Sequence, residues 1–156
     1  MRARLIFVIL AVLVLAPFYD GYPRLSLFGP HPSLTLTPLA APTPSVTGRL
    51  TWLGGVRLDS DDGAFGGFSA LAVQGKRLTL LNDGGNFVAF DLAPDWKASN
   101  VRFGALPDGP RTGWEKRDRD SESLAVGSDG RMWVGFESGN MIWRYAPDFI
   151  RGERAA

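Results

Sequence analysis

The sequence predicts an all-β fold. Three observations support this: turn-forming residues are frequent, apolar residues recur in short alternating runs, and no segment after residue 20 has convincing helical periodicity. The 156 residues include 19 glycines, 11 prolines and five tryptophans. Turn formers together with aromatic residues favour many short strands over long helices.

The N-terminus has the layout of an export signal. Arg2 and Arg4 precede an unbroken apolar run from Leu5 to Ala16, and Pro17 ends it. Such a run is shorter than the roughly 20 residues that span a bilayer as a helix. A cleaved signal, an uncleaved N-terminal anchor and a buried core segment all fit residues 1–20. A cleaved signal predicts a periplasmic or secreted protein. An uncleaved one predicts an exported protein that is held at the membrane by its N-terminal segment.

Residues 21–46 are predicted to form a proline-rich leader. Prolines recur throughout this segment and exclude a long helix, because proline removes backbone donors and restricts the residue before it. Residues 33–37 alternate and are compatible with a short edge strand, the alternative to an extended leader. The single histidine, His31, lies here between two prolines and is interpreted as incidental.

The strands are predicted within residues 47–150, and residues 151–156 are predicted to be a tail. The runs that read as strands are 49–58, 68–73, 77–81, 87–92, 124–126, 132–136 and 141–145. Turns are expected at 74–76 and at 128–130, where an Asp-Gly pair lies between apolar alternations.

Two segments of this region repeat one another. Each contains a strand, a turn, a second strand, an acid followed by Gly and Asn, and a third strand; Leu71 and Leu124 correspond, as do Asp83 and Glu137. The spacing is 53 to 54 residues, which is typical of β-propeller blades of about 50 residues. The sequence therefore predicts a partial propeller of about two blades, the N-terminal part of a larger one. A complete small β-sandwich with a coincidental repeat is the alternative.

Composition excludes several functions. The formal net charge of +1 leaves no excess of cations for neutralising phosphates, which argues against nucleic-acid binding. With no cysteine and one histidine, thiolate or histidine zinc sites and Ser-His-Asp catalysis are unsupported. Carboxylate chemistry remains, and Asp83, Asp120, Glu122 and Glu137 are the predicted metal ligands. Equivalent positions in successive blades converge on one axis, where acid clusters bind calcium, and calcium can activate water.

These acids also have structural interpretations. Asp83 fits a turn as well as a site. The loop containing Asp59, Asp61 and Asp62 lacks a glutamate at calcium-loop spacing and is interpreted as solvated. Residues 111–120 form a mixed-charge run that is typical of a solvated loop. Its cations, Lys116, Arg117 and Arg119, are close in sequence to Asp120 and Glu122, so a phosphate-bearing substrate stays an alternative.

The motifs resemble a known family. Residues 64–73 and 82–85 resemble the opening blade of the "esterase-like activity of phytase" family, and residues 120–126, 129–137 and 141–145 look like its next motif. The second stretch is also similar to calcium-dependent β-propeller phytases. The resemblance implies that Glu122 and Glu137 ligate calcium near a phosphate and are the catalytic acids. Ser123 and Ser138 stand where those phytases have a glycine and a second acid, so this site has fewer carboxylates.

The leading hypothesis is an exported, calcium-dependent hydrolase acting on a small phosphoric or other ester. A non-catalytic propeller that binds a partner, or an inactive fragment, is the alternative.

Overall fold

The computed structural model describes residues 25–43 and 46–156. The predicted export segment lies outside the described residues, so it stays a prediction. Within the described ranges, no helix has the length and apolar character needed to cross a membrane.

The described part of the chain is built from twelve β-strands. Two short antiparallel pairs come first, β1 (Thr35–Pro38) with β4 (Val56–Asp59) and β2 (Val46–Thr47) with β3 (Leu50–Thr51). Two four-stranded antiparallel sheets follow, each with its strands in sequence order. The first sheet contains β5 (Phe68–Gln74), β6 (Arg77–Asn82), β7 (Asn86–Leu92) and β8 (Ala98–Ala105); the second contains β9 (Ser121–Val126), β10 (Met132–Phe136), β11 (Met141–Tyr145) and β12 (Gly152–Arg154).

The all-β prediction is confirmed for these residues. Short 3-10 turns at Lys116–Asp118, Glu137–Gly139 and Pro147–Phe149 are the helical elements described there. The predicted hairpins lie where expected, since β5 and β6 turn at Gly75 and β9 and β10 turn at Asp129-Gly130. Gly75 has a φ of 59° and Gly130 a φ of 79°, the left-handed backbone that glycine adopts most readily.

The sequence repeat corresponds to a structural repeat. Each first strand has a bulge, at Ser69 in β5 and at Glu122 in β9, where one residue is skipped in the pairing with the next strand. Each second strand is followed directly by an acid whose N–H donates to the carbonyl of the residue before the first strand: Asp83 to Gly67 at 3.1 Å, and Glu137 to Asp120 at 2.9 Å. The second bulge therefore turns Glu122 out of the regular alternation of its strand.

The main core lies between the two sheets. Leu81 and Phe87 of the first sheet belong to the same buried cluster as Val134, Phe136 and Tyr145 of the second. Burying apolar side chains from both sheets gives the sheets their relative position.

A second core covers the other face of the first sheet. Val88 and Phe90 are completely buried there, with Phe28, Leu34 and Leu36 packed against them. Part of the proline-rich segment thus packs on the sheet, and β1 within it pairs with β4. Gly152–Arg154, in the segment assigned to the tail, pairs with β11 as the fourth strand. The predicted domain limits themselves stay predictions.

The connection between the sheets, residues 106–120, is fixed at several points. The Tyr145 hydroxyl donates to the Asp108 carbonyl at 2.7 Å, and burial raises the pKa of that hydroxyl. The Asp108 carboxylate accepts from the Gly152 N–H at 2.8 Å. Buried Arg119 donates to the Pro110 carbonyl at 2.7 Å. These bonds hold the segment that carries Lys116 and Asp120.

Candidate metal centre and neighbouring groove

Three of the four predicted acids meet at one end of the β9–β10 strand pair in the second sheet. Asp120 precedes β9, Glu122 occupies the bulge of β9, and Glu137 directly follows β10. One carboxylate oxygen from each lies within 4.8 Å of the other two. Asp120 is half-buried and both glutamates are exposed, so the centre is open to solvent on one side.

Local hydrogen bonds position two of these acids. The Glu137 N–H donates to the Asp120 carbonyl, which ties the end of β10 to the residue before β9. The Ser138 hydroxyl donates to the Asp120 carboxylate at 2.8 Å. The serine that replaces a second acid therefore orients Asp120.

The donor set fits a divalent cation that prefers oxygen. Calcium binds carboxylate oxygens at about 2.3–2.6 Å, so two ligands on opposite sides of the ion lie up to about 5 Å apart. The oxygens of this cluster lie within that separation. Since calcium takes six to eight ligands, three carboxylates leave positions for water or a substrate oxygen.

Asp83, the fourth predicted ligand, stands beside the cluster and pairs with Lys116. The Lys116 ammonium lies 2.5 Å from the Asp83 carboxylate. The hydrogen bond that the ammonium donates to Asp83 is the main cause that raises the pKa of Lys116; burial opposes it, and the charges of Asp83, Asp120 and Glu122 add to it. Four carboxylates against this one ammonium leave three negative charges in excess, which favours binding of a cation.

The other two cations of the predicted loop have different surroundings. Arg117 donates to the Glu115 carboxylate at 2.7 Å. Arg119 is 8% exposed and donates to backbone carbonyls. Lys116 pairs with Asp83, and its charge acts at the acids.

A groove of about 320 Å³ adjoins Asp83 and Lys116. One wall is the glycine-rich loop around Phe65, and the floor includes Asn82, Gly84 and Asn86. The Asn82 side-chain oxygen accepts from the N–H groups of Gly84 at 3.0 Å and Asn86 at 2.8 Å, so it sets the turn between β6 and β7.

Comparison with known proteins decides the family. Residues 63–155, more than half of the chain, match the family model described as Phytase-like: Esterase-like activity of phytase. The chain belongs to the phytase-like family. No curated protein matches this phytase-like chain, and no solved structure does. The match confirms the predicted resemblance. The acid cluster lies within the matched residues, as does the lining of the groove apart from Leu25 and Ser26.

In the acidic loop outside the cluster, which the sequence analysis interprets as solvated, the carboxylates bond to neighbouring parts of the phytase-like chain. Asp61 accepts from the Ser33 hydroxyl at 2.7 Å and from the Ser33 N–H at 3.0 Å, and these bonds lower the pKa of Asp61. Asp62 accepts from the N–H groups of Gly29 and Ala64. Asp59 pairs with Arg57. Each carboxylate is thus engaged by its own surroundings.

Sequence reasoning missed the groove of this phytase-like chain. Asn82 and Asn86 lie around Asp83-Gly84-Gly85 and read as ordinary turn residues. The signal that was available is the pair of asparagines bracketing a predicted site acid, but their burial depends on tertiary packing. Asn82 is 5% exposed and Asn86 is 1% exposed.

Proposed function

We propose that this chain is an exported, calcium-dependent ester hydrolase that acts on small phosphoric or related esters. The proposal depends on one observation: three carboxylates from two segments of the chain converge within 4.8 Å in a member of the phytase-like family. Asp120, Glu122 and Glu137 are the proposed ligands, with Glu122 and Glu137 as the catalytic acids and Asp83 in support.

The residues around the centre suit an anionic substrate. A bound calcium ion would supply positive charge for a developing oxyanion and for acidifying a coordinated water. Lys116 would neutralise a phosphate oxygen, exchanging its partner Asp83 for the substrate. Ser138 would keep the Asp120 carboxylate oriented, and the exposed side chains of Glu122 and Glu137 leave a path for an ester from solvent.

We also propose that the two four-stranded sheets are successive blades of a β-propeller. The support is their common strand order, the equivalent bulges at Ser69 and Glu122, and the equivalent bonds made by Asp83 and Glu137. The first strands of the sheets lie side by side, since the Ser69 hydroxyl in β5 donates to the Ser121 carbonyl in β9 at 2.6 Å. Propeller blades place their first strands around a shared axis.

Export is proposed from the cationic and apolar layout of residues 1–17. Mass spectrometry of the protein recovered outside the cytoplasm tests it. A product shortened near residue 20 indicates a cleaved signal, and an intact Arg2 in the membrane fraction indicates an anchor. Protein confined to the cytoplasm would contradict export.

Calcium binding measured by titration calorimetry tests the metal centre. Glu122→Gln and Glu137→Gln each remove one charge from the cluster while keeping its size. We expect each to weaken calcium binding by about tenfold or more, because even residues that only support metal ligands are worth about 10- to 100-fold in affinity. Glu153→Gln is the matched control, since Glu153 is paired with Arg144 in the second sheet outside the cluster.

Hydrolysis of p-nitrophenyl phosphate and p-nitrophenyl acetate, with calcium and with chelator, completes the test. Calcium-dependent turnover that falls in both cluster variants supports the hydrolase. Calcium binding without turnover of a panel of phosphate and carboxylate esters indicates the binding module instead. An unchanged calcium affinity in both variants rules out this metal centre.

A further inference from the structure

A cavity lined by three arginines lies at the end of the second sheet opposite the acids. Its volume is about 350 Å³, and its charged lining residues are Arg131, Arg144, Arg151 and Glu153. Three guanidiniums and one carboxylate give the lining of this arginine cavity a net charge of +2. The whole chain has a formal net charge of +1, so positive charge is locally in excess here.

The arginine cavity is electrostatically separate from the metal centre. Arg131 directly precedes β10, and Glu137 directly follows it. The two residues are six positions apart along an extended strand, which is about 20 Å at about 3.3 Å per residue. Exposed charges that are more than about 8–10 Å apart are largely screened at physiological ionic strength. The acids of the metal centre therefore do not neutralise the cavity.

Antiparallel pairing brings the arginines together. Arg144 in β11 lies opposite Glu153 in β12, and its guanidinium pairs with that carboxylate. The same guanidinium lies over the Trp133 ring, 5.6 Å from the ring centroid. The hydrogen bond from Arg144 is the main cause that lowers the pKa of Glu153; the charge of Arg144 adds to it, burial opposes it, and the charges of Arg151 and Arg131 add further. All three guanidiniums therefore act at one point.

Two of these guanidiniums have capacity for a further anion. Arg151 is exposed and, among the described residues, its side chain makes no hydrogen bond or ion pair. Arg131 pairs with Asp129 at 2.9 Å, and both side chains are more than half exposed. Exposed ion pairs contribute little to stability, so Arg131 can exchange this partner for a ligand. The planar fork of a guanidinium matches the paired oxygens of a carboxylate or a phosphate.

We propose that the arginine cavity binds a small oxyanion through Arg151 and Arg131, while Glu153 and the Trp133 ring hold Arg144 in place. Its volume lies at the lower end of the range of small-molecule sites, about 300–1,000 Å³. Inorganic phosphate and small organic carboxylates share the required chemistry, and the experiment distinguishes them. The site is independent of the proposed hydrolase and lies outside its metal centre.

Anion titration followed by calorimetry and ¹⁵N NMR tests the site. The exported protein is first passed over a chelating resin to remove calcium, because a soluble chelator is itself an anion. Phosphate and succinate are then titrated separately, with sodium chloride holding the ionic strength constant. We expect at least one of them to bind and to shift the backbone amide resonances of Arg151 and Gly152. The amide of Gly84, in the groove beside the metal centre, should not shift.

Two variants should change the affinity in opposite directions. Arg151→Gln removes an exposed guanidinium and should weaken binding about tenfold, the worth of a hydrogen bond to a charged group. Glu153→Gln removes the carboxylate that competes with the ligand and should tighten binding about twofold to fivefold, the worth of an exposed ion pair. Lys116→Gln is the matched control at the other end of the sheet and should leave the affinity unchanged.

Binding of neither anion, or shifts that sodium chloride alone reproduces, overturns the proposal. So does an unchanged affinity in Arg151→Gln or weaker binding in Glu153→Gln, since general disruption of the sheet would weaken both variants. A loss in Lys116→Gln places the anion beside Asp83 and overturns the proposal as well. Calcium is absent throughout, so none of these outcomes depends on whether the hydrolase proposal holds.

Discussion

Replacing Ser121 with alanine tests how the two sheets hold the metal centre together. Ser121 is completely buried between Asp120 and Glu122, and its hydroxyl donates to the Asn82 carbonyl at the end of β6, 2.6 Å away. Ser121→Ala removes this donor, while the carbonyl keeps the Gly85 N–H at 2.9 Å. One intramolecular hydrogen bond contributes about 0.5–1.5 kcal/mol net. We therefore expect the free energy of unfolding to fall by about 1 kcal/mol.

Urea denaturation followed by tryptophan fluorescence measures this change. With a slope of about 2 kcal/mol per molar urea for a small protein, the midpoint should fall by about 0.5 M at unchanged slope. Ser123→Ala is the control in the same strand, because its side chain is exposed, and such a change is usually worth less than about 0.5 kcal/mol. Equal midpoints for the two variants would refute the idea that this hydrogen bond joins the sheets.

Two further predictions concern the connection and the core. Burial alone would raise the pKa of Asp118, but N–H bonds from Glu115 and Trp114 and the Thr112 hydroxyl outweigh it and lower that pKa. The carboxylate therefore adds stability above its unfolded pKa of about 3.9, and this is lost as pH falls through the lower folded value. The stability gap between wild type and Asp118→Asn in urea melts should narrow from pH 5 to pH 3; a constant gap contradicts this. Gly104→Ala should lower stability by about 1–3 kcal/mol through overpacking, because its Cβ would lie 2.5 Å from the buried Phe87 ring. The control is Gly63→Ala, whose added Cβ meets nothing within 4 Å. A thermal midpoint of Gly104→Ala equal to that of this control would show that the Phe87 ring moves freely.

The inner strands of each sheet could be predicted because they carry the apolar alternation. The run 77–81 was found almost to its ends, since β6 extends from Arg77 to Asn82 and packs on both faces. β8 was missed because it is an edge strand whose residues 99–102 are all exposed. β12 was missed for a similar reason, since Gly-Glu-Arg has no apolar residue to report burial.

The acid cluster was predictable from the sequence, whereas the groove was not. Asp120, Glu122 and Glu137 come together because antiparallel pairing places the start of β9 beside the end of β10, and the strand–turn–strand pattern that predicts this pairing is visible in the sequence. The contact between Lys116 and Asp83 depends on a 3-10 turn in a connection with no repeat partner. Its position follows from tertiary bonds such as those that Asp108 accepts from Tyr145 and Gly152 of the second sheet, which sequence spacing does not encode.

The two sheets pack in a head-to-tail manner, and this bears on the propeller proposal. Phe87 of the first sheet is buried against the second, whereas its structural equivalent, Ile142, is 45% exposed. Conversely, Val134 of the second sheet is buried against the first, while its equivalent Leu80 packs under the N-terminal segment.

The two sheets therefore meet through different faces: the face that carries Phe87 in the first sheet packs against the face that carries Val134 in the second. Such a contact between non-equivalent surfaces is heterologous. A β-sandwich of two sheets would instead bury one face of each and leave both outer faces polar. The outer face of the second sheet carries Trp133 as well as Ile142, both partly exposed. That apolar pair is what the propeller proposal requires of a blade with a further neighbour. Ile142→Ser should therefore stabilise or leave unchanged a two-sheet protein, and destabilise one that continues the array.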